Sequence, residues 1–429
     1  MDIYKVVSKQ NNYYLVDGFT NEIYQLESLE DLEQVSKDDL SDCKEYQKLI
    51  PDNYQDKIKH NAKTLILEIT QQCNLRCSYC VFDEDYQSER THSSQSMSID
   101  TAYDAINNFG TRITDEAYII FYGGEPLLQF EFIKDIVQYS KKNIGNFVKF
   151  SFTTNAIYLT KEKIDFFKQN DFLITVSLDG DEITHNKYRK DKNGHNTFET
   201  IIKNLSYIYS NYREYYNKNI KITSVISDTE NLDKINQYFS SNNLIKNQNI
   251  RFSNQIQKAS IISKYMSKKF TKEYILNLIQ KYTLKKSPIE NNYYGDLLKR
   301  IKYRTLGKEA KKNKVKCIPF SNRTYIRTDG KVQFCERIEN MGITQLSTNN
   351  MINTASSFLK EYQVFIEEKC NKCFAYNYCE MCFASFIENG NLNRKIADYK
   401  CEKFKEEIQI AFEIYIELME TNPKLLEEI

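Results

Sequence analysis

The stretch "TLILEITQQCNLRCSYC", residues 64–80, joins a mostly apolar run to three closely spaced cysteines. A short apolar run of this length, rich in β-branched residues, predicts a buried strand. Cys73, Cys77 and Cys80 follow at a Cys-x3-Cys-x2-Cys spacing, and no fourth cysteine lies nearby. The stretch therefore predicts a strand that leads into a loop of three thiols whose fourth ligand position is filled by something else.

The same pattern of a short apolar run repeats along the chain. Five further runs follow, separated by amphipathic segments with helical periodicity. Alternating strands and helices of this length indicate βαβ units around a parallel sheet. Six such units predict an α/β fold with an incomplete (β/α)6 barrel. The five runs are AYIIFYGG (117–124), FVKFSFTTN (147–155), FLITVSLDG (172–180), IKITSVIS (220–227) and IRFSNQIQ (250–257).

Polar and glycine-containing pieces follow several of the predicted strands. The sequence "GGEP" ends the second run, "TTNA" ends the third and "SLDG" ends the fourth. The carboxyl ends of parallel strands meet at one rim of a barrel, where active sites are built. We therefore expect these loops to converge with the three cysteines on one site.

Composition and charge exclude several classes of protein. The chain has 429 residues and a formal net charge of +1, which gives no argument for nucleic acid or an anionic membrane. Its N-terminus lacks the pattern of a signal peptide, and no apolar run reaches the roughly 18 residues of a membrane span. We expect a soluble, cytoplasmic protein that binds neither nucleic acid nor membranes. Eleven cysteines in a reducing compartment more often bind metal than form disulfides.

The loop of three thiols suits an iron-sulfur cluster better than zinc. Zinc loops usually pair two closely spaced cysteines with a second matching pair. Three thiolates instead suit a cubane cluster in which one iron is left for a ligand that the protein does not supply. The open iron is where chemistry can occur.

With an aromatic residue at Tyr79, the Cys-x3-Cys-x2-Cys loop resembles the signature of radical S-adenosylmethionine (SAM) enzymes. The resemblance implies that Cys73, Cys77 and Cys80 hold a 4Fe-4S cluster whose fourth iron is completed by the amino and carboxylate groups of SAM. It assigns no catalytic residue beyond this cluster. The residues that it implies for SAM binding are Tyr79, Gly123, Gly124, Glu125, Pro126, Thr154, Asn155, Ser177 and Arg189.

The resemblance also implies roles for these positions. Backbone around the GGEP loop receives the amino group, and glycine suits a close approach of the backbone to a ligand. Thr154, Asn155 and Ser177 match positions that line the ribose and the carboxylate. Arg189 is a candidate partner for the carboxylate, because guanidinium offers two parallel donors. The alternative for Arg189 is an ordinary surface position.

A second group of seven cysteines near the C-terminus resembles the SPASM extension of many radical SAM enzymes. That resemblance implies two auxiliary clusters, so the cofactors would be SAM and three 4Fe-4S clusters; a zinc ribbon is the alternative for residues 370–382. The pattern departs from the family at "CEMC", one residue shorter than usual. The second set has only three thiolates, so another side chain completes that cluster or substrate binds there. The implied sets are Cys370, Cys373, Cys379 and Cys401, and Cys317, Cys335 and Cys382.

These patterns divide the chain into five parts. Aromatic and β-branched pieces at the N-terminus suggest a hairpin or three-stranded unit, which is a candidate for recognising the leader of a precursor peptide by strand addition. The alternative is a cap that only packs on the barrel. The predicted parts are the N-terminal β-rich unit (1–62), the radical SAM core (63–258), a helical bridging segment (259–312), the SPASM domain (313–405) and a C-terminal helix (406–429).

SPASM enzymes mostly modify peptides, and the segment VFDEDYQSERTHSSQSM (81–97) resembles that of maturases of cysteine-rich ribosomal peptides of the ranthipeptide and sactipeptide type. This resemblance implies an oxidoreductase that uses a 5′-deoxyadenosyl radical to install thioether crosslinks between a cysteine sulfur and a carbon of a precursor peptide. The expected partners are the precursor with its leader and an electron donor such as flavodoxin or ferredoxin. Two alternatives stay open, a carbon-carbon crosslinking maturase and a sulfatase maturase that forms formylglycine.

Overall fold

The structure, a computed structural model, divides into two compact units. The terminal unit comprises the described residues of Met1–Asp52, Ser263–Lys316 and Ser356–Ile429, and the sheet unit those of Asn53–Ile262 and Cys317–Ala355. The structure describes residues 3–18, 21–34, 50–82, 92–227, 232–248, 250–254, 297–303, 315, 317–338, 341–370, 373–379 and 381–428.

The helices and strands follow one another in this order: β1 (Ile3–Val7), β2 (Tyr13–Asp17), β3 (Ile23–Leu26), α1 (Leu29–Gln34), α2 (Tyr54–His60), β4 (Thr64–Thr70), β5 (Leu75–Cys77), α3 (Ile99–Gly110), β6 (Ala117–Gly123), α4 (Phe130–Asn143), β7 (Val148–Thr154), α5 (Lys161–Gln169), β8 (Leu173–Ser177), α6 (Glu182–Tyr188), β9 (Arg189–Asp191), α7 (Phe198–Asn211), α8 (Arg213–Asn219), β10 (Ile220–Ile226), α9 (Leu232–Ser241), β11 (Ile250–Asn254), β12 (Thr324–Ile326), β13 (Val332–Gln333), β14 (Gly342–Ile343), α10 (Thr348–Cys370), β15 (Ile387–Glu388), β16 (Asn391–Leu392), α11 (Arg394–Thr421) and α12 (Pro423–Glu428). Short 3-10 helices span Pro126–Gln129 and Phe383–Ser385.

The six predicted strands are confirmed, and they form one parallel sheet in the order β11-β10-β8-β7-β6-β4. Helices connect most of them, as expected for βαβ units. The predicted α/β fold with a parallel central sheet is therefore confirmed. Three short strands that were not predicted continue the sheet beyond β4: β12 is parallel to β4, and β13 and β14 are antiparallel. They have only two or three residues each, too few for periodicity, although the Asp329-Gly330 turn between β12 and β13 is a hairpin signal.

The two faces of the parallel sheet differ in polarity. On one face, Phe121, Phe150 and Phe152 are buried, and Phe152 packs on Phe167 of α5 with ring centroids 4.8 Å apart. The other face carries polar side chains at alternate positions. A parallel sheet covered by apolar layers on both sides reads as a continuous hydrophobic run. The alternation therefore leaves one polar face to line a ligand site, and its residues include Ser151, Thr153, Thr175, Ser177 and Thr223.

In the terminal unit, the N-terminal strands form a three-stranded antiparallel sheet in the order β1-β2-β3, the second of the two predicted alternatives. Val6, Tyr14 and Val16 of this sheet are buried in one core with residues of α11 and α12. Tyr4 also stacks on Phe374, which follows Cys373, with ring centroids 5.5 Å apart. The N-terminal sheet is thus part of the core against which Cys373 packs.

Several predicted boundaries fall inside observed elements or outside the described residues. The division between the two units lies within the predicted 313–405 domain. The last long helix begins at Arg394 rather than at 406, so it includes Cys401. Of the predicted bridging segment, only residues 297–303 are described, and they are helical. In the part of the chain that the structure describes, no helix is long and apolar enough to cross a membrane.

Candidate active site

The three-cysteine loop is fixed by a two-stranded ribbon. It begins where β4 ends, and its centre forms β5, which pairs antiparallel with β9. In this ribbon Cys77 lies directly opposite Arg189. The Ser78 amide donates to the Tyr188 carbonyl at 3.0 Å, and the Leu75 amide donates to Cys73 Sγ at 3.4 Å. Local backbone pairing thus holds the loop beside a cationic side chain.

The thiols lie together in a small cluster. Cys77 is buried with Leu75 and Tyr79, and Cys73 and Cys80 pack against them. Burial raises the pKa of the Cys73 thiol to about 12, with the charges of Glu125 and the other two cysteines adding to the effect. Burial also raises the pKa of Cys77, although the Arg189 charge opposes the shift. Without a bound cation the Cys73 thiol stays protonated near neutral pH.

The glycines of the GGEP loop allow it to approach the cysteine loop. A Cβ on Gly123, whose φ is +132°, would lie 1.9 Å from the Thr70 carbonyl oxygen, and one on Gly124 would lie 2.2 Å from that of Gln72. The amides of Gly124 and Glu125 donate to those same two carbonyls at 2.9 and 2.8 Å. Glycine is required here for contact between two loops, in addition to the contact with ligand that the sequence predicts.

Glu125 is buried and hydrogen-bonds to other groups of the protein. Its side chain is buried, and its carboxylate accepts hydrogen bonds from the Leu127 amide at 3.0 Å, Thr154 Oγ1 at 2.7 Å and the Asn155 amide at 2.8 Å. Burial raises its pKa despite these three donors. Asn155 Nδ2 in turn donates to Asn74 Oδ1 of the cysteine loop at 2.8 Å. The predicted residues after β6 and β7 are thus joined to the cysteine loop by direct hydrogen bonds.

Arg189 is buried, so its predicted alternative, an ordinary surface position, is wrong. The chain folds it inward because β9 pairs with β5. Its Nη1 donates to Tyr79 Oη at 2.7 Å, and the Tyr79 hydroxyl donates to Asp179. Arg189 Nε is buried without a hydrogen-bond partner among the described residues. A buried cation with an unused donor beside a thiol suits an anionic ligand.

Asp179 was not predicted as a site residue, although it lies in the "SLDG" piece that the sequence places at this rim. Its carboxylate is buried and accepts from the Val225 amide at 2.9 Å as well as from Tyr79. Ser177, two residues earlier at the end of β8, lies on the polar face and pairs in register with Thr223 of β10. The ends of β8 and β10 are therefore tied to the cysteine loop through Tyr79.

The residues present fit a 4Fe-4S cluster and an anionic ligand. Among the described residues, no three His, Cys, Asp or Glu side chains surround a point suited to one metal ion. A four-iron cluster asks for a wider spacing, because each thiolate binds a different iron. Three grouped thiols, a buried guanidinium with an unused donor and a polar sheet face match that requirement.

Five of the seven C-terminal cysteines lie in the terminal unit. Burial raises the pKa of Cys401 to about 11, and the next largest causes are Cys370, Cys379 and Cys373. These are the members of one predicted set, and the α11 helix and the turns after Cys370 bring them within electrostatic range of one another. The Tyr362 hydroxyl also lies within electrostatic range of four of these thiols, those of Cys370, Cys379, Cys382 and Cys401.

Cys317 and Cys335 lie in the sheet unit, around the Arg323 guanidinium. Arg323 forms an ion pair with Glu336, and that carboxylate with the two cysteines raises the pKa of Arg323. Cys382, the third member of this predicted set, belongs to the terminal unit. The set Cys317, Cys335 and Cys382 stays a prediction.

Comparison with known families and proteins identifies relatives of this chain. Residues 67–240 match the Radical SAM superfamily. The chain is 31% identical over 195 residues, 44% of its own length, to the cysteine-type anaerobic sulfatase-maturating enzyme of Clostridium novyi (strain NT), and it spans 49% of that relative. A second relative of the same name, from Clostridium perfringens (strain 13 / Type A), is 24% identical over 372 residues, 81% of this chain and 95% of the relative.

A solved structure shares the fold. Native anSMEcpe with bound AdoMet and Cp18Cys peptide aligns with a TM-score of 0.60 over 85% of this chain and 98% of that chain. The sequence identity in this alignment is 20%, so the likeness concerns the fold alone.

Proposed function

We propose that this chain, whose residues 67–240 match the Radical SAM superfamily, is a maturase that oxidises a carbon centre in a peptide or protein substrate. Relatives named anaerobic sulfatase-maturating enzymes support this class. The chain spans only 49% of the first of these relatives, so the substrate class is part of this proposal. The fold shared with a peptide-bound protein is consistent with a peptide substrate.

The observation that carries the proposal is the arrangement at the carboxyl ends of the strands. Cys77 is grouped with Cys73 and Cys80 and lies opposite the buried Arg189 in the ribbon of β5 and β9, and the parallel sheet has one polar face. The Asp179 carboxylate, linked to Arg189 through Tyr79, compensates part of this buried charge, and Arg189 Nε keeps a donor for a second anion. A thiolate-bound cluster or a carboxylate-bearing ligand would supply that second anion.

In this scheme Cys73, Cys77 and Cys80 would hold a 4Fe-4S cluster, which with bound SAM would supply radical chemistry for removing hydrogen from the substrate. Arg189 Nε would bind the SAM carboxylate, and the backbone at Gly123 and Gly124, which lies against the cysteine loop, would receive the amino group. The buried Glu125 holds the ends of β6 and β7 in place through its three hydrogen bonds. The polar face of the sheet lies beside the substrate.

Formylglycine formation is the first candidate reaction, and the names of the relatives favour it. The substrate cysteine would lose one hydrogen from Cβ to the radical, then one electron and a proton, which leaves a thioaldehyde. Water would then replace sulfur by oxygen and release hydrogen sulfide. The electron requires an acceptor, and the C-terminal cysteines are the candidate ligands of the clusters that accept it.

Thioether formation is the second candidate, and the resemblance to maturases of cysteine-rich peptides favours it. Here the radical would remove hydrogen from an acceptor carbon, the substrate thiolate would bond to that carbon, and one electron would leave. The segment 81–97 that carries much of this resemblance lies mostly outside the described residues. Both reactions begin with the same step and remove two electrons from the substrate.

The product mass distinguishes these reactions. We expect the anaerobically reconstituted protein, given SAM and a reductant, to modify either a synthetic sulfatase-type peptide containing cysteine or a small cysteine-rich precursor encoded beside its gene. Formylglycine would lack the sulfur atom, whereas a thioether would be lighter by two hydrogens per bridge and would resist thiol reductants. A carbon-carbon crosslink would lose the same two hydrogens but keep every thiol open to alkylation. No change in either peptide, with SAM still cleaved, would contradict a peptide substrate of these classes.

A further inference from the structure

A closed circuit of hydrogen bonds lies behind Arg189. Arg189 Nη1 donates to Tyr79, and Tyr79 donates to Asp179. The Asp179 amide donates to His185 Nδ1 at 3.3 Å, and His185 Nε2 lies 3.2 Å from Thr197 Oγ1. Thr197 Oγ1 donates to the carbonyl oxygen of Arg189 itself at 2.9 Å, which closes the circuit.

Each member of the circuit has a defined donor or acceptor role. The amide on His185 Nδ1 requires that nitrogen to be an acceptor, so Nε2 carries the proton and donates to Thr197. Burial, with the Arg189 charge, holds the pKa of His185 well below its ordinary value and keeps the ring neutral. All five residues are less than 9% exposed. Each link of the circuit pairs a donor with an acceptor, which favours a rigid arrangement of these side chains.

One donor of Arg189 is not used by the circuit. Arg189 Nε is buried and, in the described part of the chain, has no acceptor, whereas Nη1 is committed to Tyr79. The backbone of the same residue is held in register with Cys77. The guanidinium is therefore fixed at both ends with one edge unused.

We propose that Tyr79, Asp179 and His185 are positioning residues that hold the Arg189 guanidinium in place for the carboxylate of SAM. This inference rests on the proposed function, because it takes SAM as the ligand. A guanidinium binds a carboxylate through two parallel donors only when its plane is correctly oriented. The circuit orders that plane before the ligand arrives, so ligand binding does not include the entropic cost of immobilising a long side chain.

Removing one hydroxyl tests this role. In Tyr79→Phe the ring stays, but Arg189 Nη1 and Asp179 each lose a partner. A hydrogen bond to a charged group corresponds to roughly a tenfold or larger change in an equilibrium constant. We expect SAM to bind about tenfold more weakly to the anaerobically reconstituted variant, measured by calorimetry without reductant, with iron content unchanged.

Decarboxylated SAM, which lacks only the carboxylate, separates positioning from general destabilisation. Its affinity should be the same for the wild type and for Tyr79→Phe, because it offers Arg189 nothing to bind. The matched control is Tyr188→Phe, a neighbouring tyrosine whose ring lies 6.4 Å from that of Tyr79. This control should bind both ligands as the wild type does.

Asp179→Asn gives a second, independent variant in the same circuit. We expect it to weaken SAM binding selectively as well. The double variant with Tyr79→Phe should have the same affinity for SAM as the single variant with the lower affinity, because both substitutions act through Arg189. The positioning role would be overturned if a variant bound SAM and decarboxylated SAM equally more weakly, or if neither single variant bound SAM more weakly. Additive losses of SAM affinity in the double variant would also overturn it. A wild-type protein that binds iron but not SAM would overturn the proposed function, and this inference with it.

Discussion

Replacing Cys73, Cys77 and Cys80 together by alanine is expected to abolish SAM cleavage while leaving iron at the C-terminal cysteines. The wild-type protein should bind about twelve irons, four in each of three cubanes, and the triple variant about eight. The reason is that the three thiols are grouped in one cluster of the sheet unit, whereas five of the C-terminal cysteines lie in the terminal unit. Iron analysis and detection of 5′-deoxyadenosine under reducing conditions measure the two effects.

The control for this variant is Cys43→Ala, a cysteine that belongs to neither group and lies outside the described residues. It should keep all of the iron and the full cleavage activity. Formation of 5′-deoxyadenosine by the triple variant would show that the radical cluster is held elsewhere. Loss of all iron from the triple variant would instead contradict independent clusters at the C-terminus.

Gly18→Ala is expected to disrupt the loop of C-terminal cysteines although it lies more than three hundred residues earlier in the chain. A Cβ at Gly18 would lie 2.3 Å from both the Cα and the carbonyl oxygen of Phe374, the residue after Cys373. Backbone cannot yield as a flexible side chain does, so we expect a destabilisation on the order of 3 kcal/mol. Asn377 Nδ2 also donates to the Gly18 carbonyl at 3.1 Å, and that contact would be displaced.

We expect Gly18→Ala to lower the melting temperature and to lose about four irons, those of one auxiliary cluster. Iron content and thermal melts of the reconstituted protein measure both effects. Val7→Ala is the matched control, because Val7 belongs to the same sheet and its side chain is 49% exposed. Wild-type iron content and melting in Gly18→Ala would contradict a supporting role for the N-terminal sheet.

This packing bears on the predicted role of the N-terminal unit in leader recognition, which stays a prediction. Val6, Tyr14 and Val16 are buried in the core that also contains Phe374 and residues of α11. Deleting the sheet would expose this core, so a truncated protein would lose stability whether or not the sheet binds a leader. Substitutions on exposed positions of the sheet are therefore the sharper test of leader binding.

The amino-acid sequence by itself determined the features that depend on local periodicity and spacing. The six parallel strands follow from short apolar runs, and the three-thiol loop follows from residues 73–80 alone. The N-terminal three-stranded sheet was likewise readable from aromatic and β-branched pieces separated by turns. Such patterns report whether a side chain is buried within its own element, which needs no knowledge of distant residues.

Only the tertiary structure decided which polar groups meet. Tyr79 reaches Asp179 across 100 residues of sequence, and Arg189 reaches Tyr79 across 110. A single Asp, His or Thr in a loop or a short helix has the same local pattern whether it faces water or closes a buried circuit, so His185 and Thr197 carried no signal of their own. The partner of a buried polar group is set by the geometry that remains after the apolar faces have packed, because an unsatisfied donor or acceptor is costly only once water has been excluded.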